Sequence, residues 1–152
     1  VKVVGNKQAV DICSKLGFTD TWVLDHGESV KIGSITVTAF PGSLVGPPWS
    51  KRQNGYIFSS NRGKDSLLYE PHGDTDNNLA KLAVDYNITE AILPMTTQDL
   101  VLPPYPLVPG EIDDILTKVP TIKTIYNLPN GKIDSSGLLV NLLREDTVDL
   151  QT

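Results

Sequence analysis

Residues 30–58 read "VKIGSITVTAFPGSLVGPPWSKRQNGYIF", and this stretch decides the fold. Apolar and polar residues alternate on both sides of Gly33-Ser34. A two-residue connection that begins with glycine predicts a tight β-hairpin with a II′-type turn. The following segment, residues 41–55, is rich in proline and glycine and carries Trp49. This composition predicts a long loop in which the tryptophan packs as an anchor.

The chain on either side of this stretch contains further strands and helices. On the N-terminal side, the pattern predicts a strand at 1–4, a helix from Asn6 through Lys15 and a strand at 21–24. On the C-terminal side it predicts a second hairpin and then helices that alternate with strands. These elements are hairpin strands at 56–60 and 66–70, helices at 77–86 and 110–119, and strands at 91–95 and 122–128, the last of the chain.

Three further segments have less regular patterns. Residues 96–110, "TTQDLVLPPYPLVPG", are predicted to form a loop, because proline cannot donate backbone hydrogen bonds. A final helix is predicted from Ser135 or Ser136 through Arg144. The polar tail after Arg144 is predicted to fray.

The order of these elements predicts an α/β fold, because hairpin strands come first and strands alternating with helices follow. We expect a single domain over residues 1–152, with one or two sheets covered by helices. Long loops follow the predicted strands after Phe40, Glu70, Met95 and Leu128. Ligands in layered α/β folds bind at the carboxyl ends of strands, so functional residues are expected in these four loops.

Composition excludes several classes of function. A net charge of -5 and a pI near 4.9 argue against binding to nucleic acid or to anionic membranes, which requires clustered Lys and Arg. Cys13 is the single cysteine, which excludes an internal disulfide and a zinc site built of thiolates. No apolar run reaches the length of about 18 residues that membrane insertion requires. Because the chain begins on a strand-like run without Met, we expect a processed or truncated product.

The stretch "LLYEPHGDTD", residues 67–76, is the strongest candidate for a metal site. His72 offers a ring nitrogen, and Glu70 or Asp74 offers oxygen, a donor set that suits zinc, iron or manganese. The alternative is a polar turn in which Asp74 or Asp76 caps the next helix. His26, in "LDHGES", has the composition of a solvated surface turn.

A serine nucleophile would lie on a sharp, glycine-flanked turn beside a histidine. Ser43 follows a glycine in "PGSLVG", but this string does not match the G-x-S-x-G pattern. The sequence therefore does not favour a serine hydrolase.

Four strings in this order resemble the metallo-β-lactamase-fold hydrolase superfamily, and more narrowly its divergent branch in plants and cyanobacteria. They are residues 30–58, "LLYEPHGDTD", "LVLPPYPLVPG" and "LPNGKIDSSGLL". The resemblance runs over nearly the whole chain and implies a four-layer αββα sandwich of two similar halves, with a dinuclear metal site at the edge between the sheets. This chain resembles the second half, because the His-x-His-x-Asp-His motif of the first half does not occur in it.

The resemblance also implies roles for single residues. The histidine that normally follows Pro-Gly is replaced by Ser43, and the terminal histidine by Asn130. Asp74 corresponds to the aspartate that bridges the two metals in the family, and His72 and Glu70 are the alternatives for that position. Ser43 and Asn130 are expected to line the cleft by hydrogen bonds, and two aromatic residues, Trp49 and Tyr56, to shape its rim or pack beneath the loop.

Two functions follow from this resemblance as hypotheses. The first is a metal-dependent hydrolase in which an activated water attacks an ester, amide or phosphodiester. Zinc, iron or manganese would be the cofactor. The second is a degenerate, non-catalytic member without a metal, serving as a binding or structural subunit. In both cases we expect tight association with another polypeptide, either one that supplies the other half or an oligomeric partner, because a half sandwich would expose one sheet face. The resemblance suggests a plastid or cytoplasmic location.

Overall fold

The computed structural model describes residues 1–44, 49–60, 65–72, 78–94, 98–100, 106–108, 112–128 and 144–146. Within these ranges the strands are β1 (Lys2–Gly5), β2 (Asp20–Val23), β3 (Ser29–Ile32), β4 (Ile35–Pro41), β5 (Asn54–Ser60), β6 (Ser66–Tyr69), β7 (Ile88–Leu93), β8 (Gln98–Leu100), β9 (Pro106–Val108), β10 (Thr124–Asn127) and β11 (Arg144–Asp146). The helices are α1 (Lys7–Lys15), α2 (Asn78–Asp85) and α3 (Ile112–Lys118). None of the described helices is long and apolar enough to cross a membrane.

The predicted hairpin at the centre of the fold is confirmed. β3 and β4 pair antiparallel with Ile32 opposite Ile35. Gly33 begins the turn with a φ of 61°, a conformation that most side chains avoid and that primed hairpin turns require at this position. The local sequence is therefore sufficient to specify this connection.

The predicted N-terminal strand, helix and strand are also confirmed. The Asn6 side chain accepts a hydrogen bond from the backbone N–H of Ala9 at 2.9 Å and so caps α1. β1 and β2 pair parallel on either side of this helix. Leu24 follows β2, donates its backbone N–H to Gly5 at 2.8 Å and is buried in an apolar cluster with Val37 of β4. This cluster joins the N-terminal unit to the main sheet.

The main sheet has six strands in the order β10-β7-β6-β5-β4-β3. Consecutive strands from β3 to β6 pair antiparallel, whereas β6, β7 and β10 run parallel. The parallel pairs arise because α2 and α3 carry the chain back between strands, as in βαβ units. As a result, β4, β6, β7 and β10 all end at the same edge of the sheet, where β5 begins.

The core lies between this sheet and its two crossover helices. Ile57, Leu68 and Ala91 stand side by side on β5, β6 and β7, and all three are fully buried. Leu79 of α2 and Ile115 of α3 belong to the same buried cluster. This packing anchors the central strands, whose ends carry the candidate site.

The structure corrects the prediction for residues 96–110. The segment contains strands β8 and β9, which pair with each other in a three-stranded sheet of order β11-β8-β9. Pro106 is the first residue of β9 at the edge of this sheet, a position where a missing N–H breaks few ladder bonds. The prediction of a loop was wrong because proline is compatible with an edge strand.

The C-terminal predictions are corrected in part. Arg144, expected at the end of a helix, instead begins β11 and pairs with Leu100 of β8. Glu145 and Asp146, expected to fray, belong to the same strand, so β10 is not the last strand of the chain. The predicted helix start at Ser135 or Ser136 lies outside the described residues.

Candidate functional site

The segments that follow β4 and β6, which begin two of the four loops predicted to carry function, lie at one edge of the six-stranded sheet. Beyond the end of β4, Gly42 donates its N–H to the carbonyl of Gln53 at 2.9 Å, and Gln53 donates to Ser43 at 2.8 Å. Beyond the end of β6, Glu70 donates its N–H to Ile92 of β7 at 3.2 Å. These backbone bonds extend the strand ladders past their formal ends. They bring Ser43 and Glu70 together although β5 lies between their strands.

Glu70 is the centre of this edge. Its side chain is fully buried, and within the described part of the chain two groups donate hydrogen bonds to its Oε1. One comes from the Ser43 hydroxyl at 3.1 Å, and the other from the backbone N–H of His72 at 3.0 Å. Burial of a carboxylate is costly unless hydrogen bonds replace its water, so both donors stabilise the position of Glu70. Burial raises the pKa of the neighbouring Tyr69, and the charge of Glu70 raises it further.

Two glycines leave the space that the Glu70 carboxylate occupies. A Cβ atom built on Gly42 would overlap Glu70 Oε2 and lie 3.1 Å from its carboxyl carbon. A Cβ atom on Gly55 would lie 2.7 Å from the same oxygen and would overlap the Phe40 ring. The absence of side chains at these two positions therefore allows a buried carboxylate at this edge. This role was not predicted from the sequence, although the glycines of "PGS" and "NGY" at strand ends are the signal for it.

His72 lies beside Glu70. Its Nδ1 is 3.9 Å from Glu70 Oε1, beyond hydrogen-bonding distance, and 31% of its side chain is exposed. Nδ1 itself is buried and has no hydrogen-bond partner among the described residues. Burial lowers the pKa of His72, which favours the neutral imidazole. Neutral imidazole is the form that binds metal ions.

The two described donors fit a metal ion. A carboxylate oxygen and an imidazole nitrogen suit zinc, iron or manganese. Two ligands that each lie about 2.1 Å from a metal can be at most about 4.2 Å apart, and the distance of 3.9 Å between Glu70 Oε1 and His72 Nδ1 is within that limit. Over the described ranges, no group of three or more His, Cys, Asp or Glu side chains could hold a metal. Asp74, the third predicted ligand, lies outside those ranges.

The predicted cleft-lining residues have different positions. Ser43 is fully buried with its hydroxyl on Glu70, which leaves it inaccessible as a nucleophile. Trp49 is 81% exposed, which contradicts its predicted role as a packing anchor of the loop. Tyr56 is half-buried against the cluster of Leu24, and its hydroxyl accepts a hydrogen bond from Asn54 at 3.3 Å. Asn130 lies outside the described residues.

His26 does lie on a turn, as predicted, but its ring is not fully solvated. Glu28 donates its N–H to Asp25 at 3.0 Å across the turn, and Gly27 has a φ of 89°. The His26 Nε2 atom is buried and has no hydrogen-bond partner among the residues that the structure describes. The carboxylate of Asp25 is exposed and forms an ion pair with Lys51. The described part of this turn therefore has no buried carboxylate beside its histidine, unlike the pair of Glu70 and His72.

Comparison with known proteins identifies the fold. No protein-family model matches the chain, and no curated protein sequence matches it. Solved structures do match. A possible metal-dependent hydrolase from Veillonella parvula has a TM-score of 0.62 and 18% identity, over 80% of this chain and 50% of that one. The metallo-β-lactamase fold protein YhfI from Bacillus subtilis has a TM-score of 0.55 and 12% identity, over 91% of this chain and 54% of that one.

A third similar structure is CmlA, a diiron β-hydroxylase from Streptomyces venezuelae, with a TM-score of 0.53 and 19% identity, over 78% of this chain and 23% of that one. The chain therefore spans about half, or less, of the length of these three proteins. It has the mixed α/β architecture of part of a metallo-β-lactamase-like fold, as the sequence predicted. At these identities the likeness establishes the fold and not the activity.

Proposed function

We propose that this chain supplies metal ligands to a metal-dependent hydrolase of the metallo-β-lactamase fold. The observation that carries the proposal is the buried His72 Nδ1, which has no hydrogen-bond partner in the described part of the chain and lies 3.9 Å from the fully buried Glu70 carboxylate. The pair lies at the edge of the sheet where four strands end. The similarity to a possible metal-dependent hydrolase and to a diiron enzyme supports the same proposal.

Glu70 and His72 are the residues that would hold the metal, and the resemblance adds Asp74. Zinc is our first choice, with iron or manganese as alternatives, because mixed oxygen and nitrogen donors suit all three. When bound, such an ion supplies a Lewis acid that lowers the pKa of water towards neutrality for attack on an ester, amide or phosphodiester. Glu70, buried and hydrogen-bonded to Ser43 and to the N–H of His72, would position that ion together with His72.

The protein prepares both ligands before any metal binds. Glu70 is fixed by donors from two different segments, the end of β4 and its own loop. Burial lowers the pKa of His72 and so favours the neutral imidazole, the form whose nitrogen can bind a metal. Ligands held in this way lose little conformational entropy on binding. Glu70 and His72 would therefore form two preorganised ligands of the metal site.

A second candidate function is a binding subunit without catalysis. One observation favours it: Ser43 stands after Pro41-Gly42, where the resemblance implies a histidine ligand, and its hydroxyl is bonded to Glu70. A site that has lost a ligand binds metal less tightly and is less able to activate water. The two candidates differ in whether the native protein holds metal and hydrolyses a substrate.

The proposal is tested by measuring the metal content of the native protein, purified without chelator, by inductively coupled plasma mass spectrometry. We expect near-stoichiometric zinc, iron or manganese in the unsubstituted protein and its loss in His72→Ala and Glu70→Gln. His26→Ala is the matched control, because the His26 ring also has a buried nitrogen but no buried carboxylate partner. It should keep the metal. A native protein without metal, or equal metal in all variants, would contradict the proposal.

Hydrolysis of p-nitrophenyl esters and of bis-p-nitrophenyl phosphate then separates the two candidates. Turnover that falls together with metal content in His72→Ala would support the hydrolase. A metal-free native protein that turns over neither substrate would favour the binding subunit.

A further inference from the structure

We propose that Ser43 is a positioning residue for the metal site: it holds the Glu70 carboxylate in place and does not itself bind the metal. This inference rests on the proposed function of Glu70 as a metal ligand. It assigns a role to the residue that stands where the resemblance implies a histidine. The supporting evidence is the contact geometry of Ser43, Glu70 and the two adjacent glycines.

The position of Ser43 is set by the backbone of the strand edge. Its carbonyl accepts the N–H of Gln53 at 2.8 Å, and the preceding Gly42 donates to the carbonyl of Gln53 at 2.9 Å. Arg52 also donates from Nη1 to the Gly42 carbonyl at 2.7 Å. These hydrogen bonds fix the backbone on both sides of Ser43. The position from which its fully buried side chain reaches Glu70 is therefore fixed as well.

In its hydrogen bond with Glu70, the Ser43 hydroxyl is the donor, because an ionised carboxylate accepts hydrogen bonds and does not donate them. The distance of 3.1 Å from Oγ to Oε1 is that of a direct hydrogen bond. The other donor to Oε1 is the N–H of His72, which belongs to the same loop as Glu70. Ser43 thus connects the carboxylate to the segment that follows β4, and so restrains the Glu70 side chain from outside its own loop.

The glycines make this restraint effective. Glu70 Oε2 lies so close to Gly42 and Gly55 that a Cβ atom on either glycine would overlap it. The carboxylate is thus enclosed by backbone on its Oε2 side and held by two donors at Oε1. If the Ser43 hydroxyl is removed, a donor is lost at Oε1 while the space around Oε2 stays the same, so the carboxylate can turn away from its position.

A ligand role for Ser43 is less consistent with these contacts. A neutral hydroxyl is a weak metal ligand compared with carboxylate and imidazole. The Ser43 hydroxyl also donates a hydrogen bond to the carboxylate of Glu70, which we assign as a ligand. Partners that hydrogen-bond to metal ligands orient them, and their loss typically reduces metal affinity by about 10–100-fold. This is the effect that we expect from Ser43.

The test is a titration of the full chain with Co²⁺, followed by the visible absorption bands of the bound ion. We expect Ser43→Ala to weaken Co²⁺ binding by about 10–100-fold and to alter the band positions. Ser43→Thr keeps the hydroxyl and should restore most of the affinity. Ser66→Ala is the matched control, because Ser66 is also buried but lies at the other end of β6. It should bind Co²⁺ as the unsubstituted chain does.

Two results would overturn this inference alone. One is unchanged affinity in Ser43→Ala while His72→Ala no longer binds Co²⁺, which would leave the proposed metal site intact. The other is an equal loss in Ser66→Ala, which would indicate general destabilisation. If the unsubstituted chain bound no Co²⁺, both this inference and the proposed function would be wrong.

Discussion

Glu70 shows, at the scale of single residues, how this protein accommodates a buried carboxylate. Hydrogen bonds from Ser43 and from the N–H of His72 stabilise the carboxylate, and the absence of side chains at Gly42 and Gly55 leaves space for it. Such an arrangement is sensitive to small changes, because a buried polar group that loses a partner keeps its desolvation cost. Glu70 was predicted as a possible ligand, but the residues around it lie at or just beyond the ends of three strands, β4, β5 and β6.

Gly55→Ala tests whether the space beside Glu70 is required. The added Cβ would overlap the Phe40 ring and lie 2.7 Å from Glu70 Oε2, so we expect a loss of roughly 1–3 kcal/mol in the free energy of unfolding. Urea denaturation measures it. Ser60→Ala, at the exposed end of the same strand, is the control and should change stability little. Equal stability of the two variants would show that the space is not constrained.

Lys51→Ala tests an ion pair on the turn that carries His26. The hydrogen bond from Lys51, at 2.7 Å, and the attraction of its charge hold the pKa of Asp25 below its ordinary value. A lowered pKa in the folded state contributes stability above the unfolded pKa of about 3.9, and this contribution is lost as the pH falls through the folded value.

We expect the Asp25 pKa to rise towards its ordinary value in Lys51→Ala, as measured by a ¹³C NMR titration of the carboxyl groups. Lys7→Ala removes a comparable ion pair with Asp11 and should leave Asp25 unchanged. If both variants left the Asp25 pKa where it is, Lys51 would not be the cause of the shift.

At the scale of elements, the central strands depend on burial rather than on local propensity. β6 has only four residues and gains stability from its neighbours on both sides, β5 and β7. Leu68 on this strand is fully buried beneath the crossover helices. Because Glu70 follows two residues later, the packing of Leu68 also determines where the site lies.

Leu68→Ala is expected to lower the free energy of unfolding by about 2–5 kcal/mol, since it leaves a cavity in the core. Chemical denaturation followed by circular dichroism measures this loss. Val84→Ala, on the outer side of α2 where Val84 is 85% exposed, is the control and should have a small effect. A similar result for both would mean that the core tolerates the cavity by rearranging.

At the scale of the whole molecule, the fold is that of part of a larger architecture. The chain covers 50% of the possible metal-dependent hydrolase from Veillonella parvula and 54% of YhfI. The face of the six-stranded sheet opposite the helices carries Tyr69, Ile92 and Tyr126 in register, and Tyr126 is 49% exposed. Such a face is consistent with the association with another polypeptide that the sequence predicted. That association stays a prediction.

Sedimentation velocity at micromolar concentration tests this prediction. We expect a species larger than the 16.6 kDa chain, because aromatic side chains on a sheet face gain stability when a partner removes them from water. Tyr126→Lys should weaken the association, whereas Val84→Lys on the helical side should not. A monomer for the unsubstituted chain would show that it is stable by itself.

The sequence by itself determined the features that depend on near neighbours. Gly33 specifies the hairpin turn, Asn6 caps α1, and the alternating pattern places the strands of the main sheet within a few residues. These features are local because a turn or a cap requires only a particular dihedral angle or a donor within one helical turn. The four motifs also predicted the fold that the comparisons support.

Only the tertiary structure decided which residues surround the candidate site. Ser43 and Glu70 are 27 residues apart, and their hydrogen bond exists because three strands pair in one register. The same register brings Gly55 beside Phe40 and Glu70, which no local pattern could indicate. Strands β8, β9 and β11 likewise form only because distant segments pair with each other. Contacts of this kind depend on the summed pairing and burial of many residues, so the sequence named the candidate ligands but not their supports.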